Sequence, residues 1–366
     1  MPIYMDVHIV PGVKARNVAE AHQLDMMHQK EFGCKCMTYW IDEERENIFC
    51  LIEAPSKDAV EEMHGKAHGL IPNKIIEVSP EVVSSFLGRI YDPEDAVTTA
   101  DGLKVFTDTS FRTVLAIKIC DAVLLQAQHG VDKAHELLNR HNDTIRKQLA
   151  QNSGSEVEYG GSSFIISFTN ATNAVSCALA IQKEMQSYDA GVSGARMAIS
   201  AGEPVENSNK LFGNTLQLAG YMCAIAGPLQ VVVAATIKDL VAKDYFKIKG
   251  DHFLILSPQD EQLLQQLFGI LETNWQQSEF DVEDYSREMA MSKSQLYRKT
   301  IQLTGLPPNI LLKEFRLEKA KDLMRKKHFN IAQITFDSGF SSPSYFTKCF
   351  KNKYGLLPMA YLDLLQ

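Results

Sequence analysis

Residues 330–358, NIAQITFDSGFSSPSYFTKCFKNKYGLLP, read as two short helices hinged at a glycine. Gly339 stands at the turn, where a positive φ is least costly for the backbone. In the second helix Tyr345, Phe346, Cys349 and Phe350 fall at i, i+1, i+4 and i+5, the spacing of one buried stripe. Ser344, Thr347, Lys348 and Lys351 are left to face outward. Upstream, DVEDYSREMAMSKSQLYRKTIQL (281–303) follows the same plan, with a turn at Ala290–Met291 and a second helix capped by Ser292. There Val282, Tyr285 and Met289 keep helical spacing, and Leu296, Tyr297 and Ile301 pack against them. PPNILLKEFRLEKAKDLMRKK (307–327) joins the two units as one long helix, its prolines suited to a first turn and Leu317, Ala320 and Met324 on its buried face. From about 259 to the end no β-rich run occurs, so this segment is all-α.

Charge sharpens that reading. The whole chain carries a formal −8, yet residues 281–366 hold 14 Lys and Arg against 9 Asp and Glu, a net of +5. A basic end on an acidic body points to a polyanion partner. The tandem helix-turn-helix plan, with SGFSSPSYFTKCFKNKYGLLP as its second unit, resembles the DNA-binding domain of AraC/XylS-type transcription regulators over 259–366. The resemblance implies double-stranded DNA as partner, with one recognition helix in each of two successive major grooves. An α-helix fits that groove, and polar side chains near its N-terminus reach base edges. Ser294, Gln295 and Arg298 in the first unit, and Ser344, Thr347 and Lys348 in the second, are the candidate base readers. Lys293, Lys299, Lys351 and Lys353 are candidates for phosphates, which add affinity but little sequence information. The competing reading is a helical bundle with a solvated basic face; two units in tandem disfavour it. The helix that precedes them carries Asp260, Glu261 and Glu272, and it is expected to face away from a duplex.

Residues 111–256 read as an α+β domain: strand RTVLAIKI, a long helix, the hairpin VEYGGSSFIISF, helix NAVSCALAIQKEM, then strands ARMAISAG and LQVVVAA. With LFGNTLQLAGYMCAIAGPLQVVVAATIKDLV, this order is similar to class III adenylate/guanylate cyclase catalytic domains. An active member needs two aspartates that hold cations at the reacting phosphate. Their places here read Ile117-Lys118-Ile119 and Gly161-Ser162-Ser163, although Asp121 stands close to the first. The family's transition-state Asn and Arg fall at Gln217 and Tyr221. Lysine repels a dication and serine is a poor ligand for Mg²⁺. The expectation is therefore no catalysis and no catalytic Mg or Mn, but a scaffold for dimerisation or a holder of a small ligand.

Residues 1–90 alternate strand, helix, strand, strand, helix, strand, which implies a ferredoxin-like α+β sandwich, and 91–110 read as a linker. MPIYMDVHIVPG, MTYWIDEERENIFCLIEAP and MHGKAHGLIPNKIIEV look like a family of small bacterial ferredoxin-like proteins, some described as nickel-binding. The candidate metal ligands are Asp6, His8, His22, Glu53, His64 and His68. His64 and His68 are i, i+4 on a helix, so two imidazoles share a face. Tyr4, Asp6 and His8 alternate onto one side of the first strand. Such ligands suit nickel, zinc or copper without choosing among them; it is the resemblance that implies nickel first. One difficulty is geometric: Asp6 and His8 are expected to point away from the helices. They would then meet His64 and His68 only at an edge or across a dimer of open sheet faces. Cys34, Cys36 and Cys50 form an alternative softer site, although Cys50 also suits a small core position.

With 45% hydrophobic and 22% charged residues, disorder is excluded. No apolar run reaches the roughly 18–20 residues of a membrane span, and no signal-peptide layout opens the sequence. Seven scattered cysteines, an odd number, suggest reduced thiols and a cytoplasmic setting. No internal repeat stands out. These features define a multidomain chain: a dimeric DNA-binding regulator with an N-terminal metal or ligand sensor. A cyclase with a regulatory tail and a metal-buffering protein are the rivals.

Overall fold

The computed structural model describes residues 1–100, 102–189, 194–242, 253–326 and 330–365. The N-terminal sheet contains β1 (Ile3–Ile9), β2 (Lys35–Asp42), β3 (Asn47–Glu53) and β4 (Lys74–Val78), antiparallel in the order β2-β3-β1-β4. Helices α1 (Ala15–His28) and α2 (Lys57–Ala67) form its crossovers, and this is the expected ferredoxin-like arrangement. Strand alternation splits it into two cores. Tyr4, Ile48 and Ile52 face α1 and α2, against Val18, Val60 and Met63. Met5, Val7, Phe49, Leu51 and Trp40 face the other way.

That second face is not open. It is covered by α3 (Pro80–Leu87) and by Val114, Leu211 and Phe212 of the middle domain. A dimer made by pairing exposed faces of this sheet is thereby ruled out. Two cations reinforce the junction. Lys74 Nζ donates to the carbonyls of Glu206, Asn207 and Ser208 at 2.7–2.8 Å. Buried Arg112 donates to the carbonyls of Phe86 and Leu87 at the end of α3, and to those of Thr109 and Phe111. The expected linker at 91–110 is packed rather than free. It contains the hairpin β5 (Val97–Thr98) and β6 (Lys104–Val105), and Phe106 stacks on Tyr39 with ring centroids 4.0 Å apart.

The middle domain builds a six-stranded sheet from β7 (Arg112–Lys118), β8 (Ser155–Tyr159), β9 (Ser163–Phe168), β10 (Arg196–Gly202), β11 (Val231–Val233) and β12 (Phe253–Ile255). The order is β12-β11-β10-β7-β9-β8, with β10, β11 and β12 parallel and the others antiparallel. Around it lie α4 (Ala122–His129), α5 (Val131–Gln151), α6 (Ala171–Asp189), α7 (Gly213–Ile225) and α8 (Ala235–Leu240).

Among the described residues seven helices follow: α9 (Pro258–Asn274), α10 (Val282–Glu288), α11 (Lys293–Thr304), α12 (Pro308–Arg325), α13 (Ile331–Asp337), α14 (Pro343–Tyr354) and α15 (Pro358–Leu364). They are not a detached module. Leu264, Leu267, Phe268 and Leu271 of α9 join the core of the middle domain to Tyr285, Leu296 and Leu303 of the first helix-turn-helix unit. Val123 of α4 enters the core of the second unit beside Leu317, Phe346 and Phe350. The acids of α9 serve the protein itself. Asp260 closes a capping box with Ser257, Glu261 accepts from the Ala235 amide, and Glu272 pairs with Lys319.

An internal repeat, unseen at the level of sequence, is evident here. Helices α11 and α14 each have twelve residues, a serine N-cap (Ser292, Ser342) and a left-handed glycine C-cap (Gly305, Gly355). The turns before them both take positive φ, +51° at Ala290 and +78° at Gly339. A Cβ on Gly339 would fall 2.0 Å from the Trp275 carbonyl oxygen. Gly339→Ala is therefore expected to cost about 3 kcal/mol through overpacking against rigid backbone. Ala290→Gly, which only relieves a left-handed alanine, should instead stabilise by about 1 kcal/mol. Urea titrations of the two variants check the opposite signs.

Candidate functional site

The recognition helices are built by their caps. In α11 the Ser292 hydroxyl accepts from the Gln295 amide while Gln295 Oε1 accepts from the Ser292 N–H, a reciprocal box that fixes the first turn. The Ser342 hydroxyl caps α14 by accepting from the Tyr345 amide, without a reciprocal bond, and Pro343 fills the first position. Leu296 and Phe346, one turn in, are fully buried and set which face turns outward. Ser294, Arg298 and Lys299 are exposed on α11; Ser344, Lys348 and Lys351 are exposed on α14, with Thr347 half-buried. Arg298, Lys299, Lys348 and Lys351 form no ion pair among the described residues.

Several expectations need correction. Tyr297 and Tyr345, read as buried, are 52% and 53% exposed and belong to the outward faces. Two other candidates stay exposed as expected but are already engaged: Gln295 gives its side-chain oxygen to the cap, and Lys293 is paired with Glu283 at 3.0 Å. Lys353 is half-buried and turned inward to Glu314 and Glu318.

The metal candidates converge, and not across a dimer. Asp6 and His8 point toward the helices, because β1 gives its odd residues to the middle domain and its even ones to α1 and α2. His64 is fully buried, with Nε2 3.0 Å from Asp6 Oδ2 and Nδ1 3.1 Å from Asp25 Oδ1. His68 Nε2 lies 3.1 Å from the same Asp25 oxygen, and His8 Nε2 lies 3.4 Å from Asp6 Oδ1. Two donor groups result, Asp6–His8–Cys50–His64 and Asp25–His64–His68, joined at His64.

The electrostatics follow from burial between opposite charges. Burial opposes a charged His64, but Asp6 and Asp25 outweigh it and lift its pKa to about 10. Burial likewise opposes a charged Asp6, yet His8 and His64 hold its carboxyl well below the usual carboxylate range. Burial opposes a charged Asp25 as well, but its bonds to His64 and His68 outweigh it and lower its pKa. Burial, with Asp6 and Asp25 nearby, pushes the Cys50 thiol far up.

The donor set fits a transition-metal ion. Imidazoles, carboxylates and one thiol lie together, His8 Nδ1 is buried without a hydrogen-bond partner, and a cavity of about 20 Å³ opens beside His8, Asp25, Cys50 and His68. His22 lines that cavity but turns to Asp92 at 3.7 Å. Glu53 lies outside, half-buried near the N-terminal amine. Cys34 contacts the carbonyls of Phe32 and Ala59, and Cys36 contacts Met63, so the three cysteines do not gather. Asp25 was missed altogether. Its only signal is a single acid on an otherwise apolar helical face, one turn after His22.

Two family models match the chain: a nickel responsive protein SCO4226-like family over residues 4–78 and a helix-turn-helix domain over residues 285–363. Both ends thus carry the resemblances read from their sequences. Among curated proteins, the chain is similar to Histidine kinase P4 of Formosa agariphila, 39% identical over 108 residues, which is 30% of this chain and 8% of the kinase. It is also similar to the HTH-type transcriptional activator RhaS of Mannheimia succiniciproducens, 33% identical over 98 residues, 27% of this chain and 36% of the activator. The chain therefore spans little more than a third, or less, of these relatives. Among solved structures, SCO4226 from Streptomyces coelicolor aligns at 33% identity and a TM-score of 0.20, covering 21% of this chain and 94% of that one. The adenylate/guanylate cyclase/hydrolase from Silicibacter pomeroyi aligns at 24% identity and a TM-score of 0.31, covering 37% and 80%. No described helix is long and apolar enough to cross a membrane.

Proposed function

We propose that this chain is a transcription regulator that reads specific duplex DNA through α11 and α14 and senses a transition metal, nickel first, through its N-terminal cluster. The observation that carries the reading is the repeated unit itself: two serine-capped, glycine-closed helices of equal length, each with serine at its second position and a cation at its sixth, both exposed. Ser294 and Arg298 correspond to Ser344 and Lys348. These pairs read base edges, while Lys299 and Lys351 hold phosphates.

Asp6, His8, His64 and His68, with Asp25 and Cys50, would hold the metal. A bound cation would supply the positive charge that Asp6 and Asp25 otherwise take from a protonated His64. The helix-turn-helix regulators among the relatives favour a non-enzymatic role, and the middle domain supports it. Lys118 is paired with Glu318, Ser162 stands where a metal-binding aspartate would be needed, and Tyr221 is stacked on Phe268 of α9. That domain serves as the scaffold between sensor and DNA reader, and a homodimer in the cytoplasm completes the reading.

Selection from random duplexes with the full chain, with and without nickel, tests it. A preferred sequence with two adjacent contact sites, bound differently when nickel is present, is the expected result. Arg298→Ala should then lose about 1–3 kcal/mol of affinity for that sequence and relax preference at one base. Equal retention of all sequences at moderate salt would overturn the reading.

A further inference from the structure

Between the middle domain and the C-terminal helices lies a cavity of about 610 Å³, within the size range of small-molecule sites and at a domain boundary, where such sites concentrate. One wall is the end of β7 and the start of β10, with Lys118 and Arg196; the opposite wall is α12, with Phe315 and Glu318. Five cations line it (Lys118, Arg196, Lys321, Arg325 and Lys353) against three carboxylates, Asp121, Glu314 and Glu318. Four of the five are engaged: Lys321 and Arg325 with Asp121, Lys353 with Glu314, and Lys118 with Glu318. Arg196 is exposed and meets no carboxylate among the described residues. Beside these charges the lining is apolar and partly aromatic, with Ile225, Phe268, Leu311 and Phe315.

We propose that this cleft binds a small organic anion, its apolar body against Phe268 and Phe315 and its acid group at Arg196 and Lys118. The excess of positive charge excludes a metal cation, and the apolar wall disfavours a bare inorganic anion. Neither domain forms the site alone. An occupant therefore binds only the docked arrangement and stabilises it by mass action, tying α12, the helix between the two DNA-reading units, to the scaffold.

The test uses the full chain and 8-anilinonaphthalene-1-sulfonate, an aromatic body with one sulfonate. Saturable uptake of one dye per chain is expected, weakened about tenfold or more in Arg196→Glu by like-charge repulsion and largely kept in Arg196→Lys. Lys118→Glu serves as the second variant should Arg196→Glu not fold, and thermal melts of each variant check the fold. Displacement by adenosine monophosphate or by benzoate, whichever acts at lower concentration, identifies phosphate or carboxylate as the acid recognised. Uptake unchanged in the charge-reversed variants, no stoichiometric uptake, or displacement by neither competitor would overturn the proposal.

Discussion

Replacing His64 by alanine is expected to destabilise the N-terminal domain by about 3–5 kcal/mol and to abolish tight nickel uptake. Both ring nitrogens of His64 bond to carboxylates, Asp6 on one side and Asp25 on the other, with almost no solvent access. An imidazole that donates from both nitrogens is an imidazolium, and it is the charge that makes burial of two acids tolerable. Alanine leaves those acids facing one another, with His8 and the Cys50 amide still on Asp6 and His68 still on Asp25. Urea unfolding followed by Trp40 fluorescence measures the stability, and calorimetric titration with nickel measures uptake. A loss below about 1 kcal/mol would show that the pairings contribute no more than surface ion pairs do. Uptake preserved in the variant would remove His64 from the ligand set. His22→Ala, by contrast, should leave uptake in place, because its ring turns to Asp92.

Asp121→Ala is expected to loosen the C-terminal helices from the middle domain. Asp121 Oδ2 accepts from Lys321 at 3.4 Å, Arg325 at 2.5 Å and the Tyr361 hydroxyl at 2.9 Å, while Oδ1 caps α4 through the Val123 amide. Lys321 is itself buried. Removing Asp121 leaves Lys321 only Glu318, at 3.2 Å, and takes the shared acceptor from Arg325 and Tyr361, a loss of about 3 kcal/mol for a buried pair. Native-state hydrogen exchange in α12 and α15 should rise while exchange in the N-terminal sheet stays unchanged; protection retained in α12 would refute the role. A pH dependence follows with a definite sign. Burial raises the Asp121 pKa, but Lys321 and Arg325 outweigh it and hold the carboxyl below its ordinary value. Its contribution is therefore complete above the unfolded value of about 4 and lost as pH falls through the folded one. The wild-type chain should undock in acid, and Asp121→Ala should flatten that part of the profile.

The N-terminal and C-terminal architectures were legible because their signals are local. Gly339 at a turn, serines ahead of helices and the apolar stripe through Phe346 and Phe350 each act over a few residues. The fifty-residue repeat was present in the sequence as well, as Ser292-x-Ser294 to Gly305-Leu-Pro-Pro against Ser342-x-Ser344 to Gly355-Leu-Leu-Pro. It was obscured because buried positions kept their character and changed their residues, Leu296 against Phe346. Tyr297 and Tyr345 were misread for a related reason: spacing marks a stripe but not its width, and a tyrosine beside the stripe counts as apolar whichever way it turns.

From the sequence alone came the order of strands and helices, the pair of helix-turn-helix units and four residues of the candidate metal cluster, since hydrophobic period and capping are properties of neighbouring residues. Tertiary structure alone decided that β1 turns Asp6 and His8 inward, that Asp25 joins the cluster, and that the C-terminal helices close a charged cleft against the middle domain. Both faces of β1 carry apolar residues because both are buried, so alternation could not say which face meets the helices. Asp25 and His64 are 39 positions apart, and Asp121 and Arg325 are 204 apart. Pairings at that range are fixed by how layers stack, which no local pattern encodes.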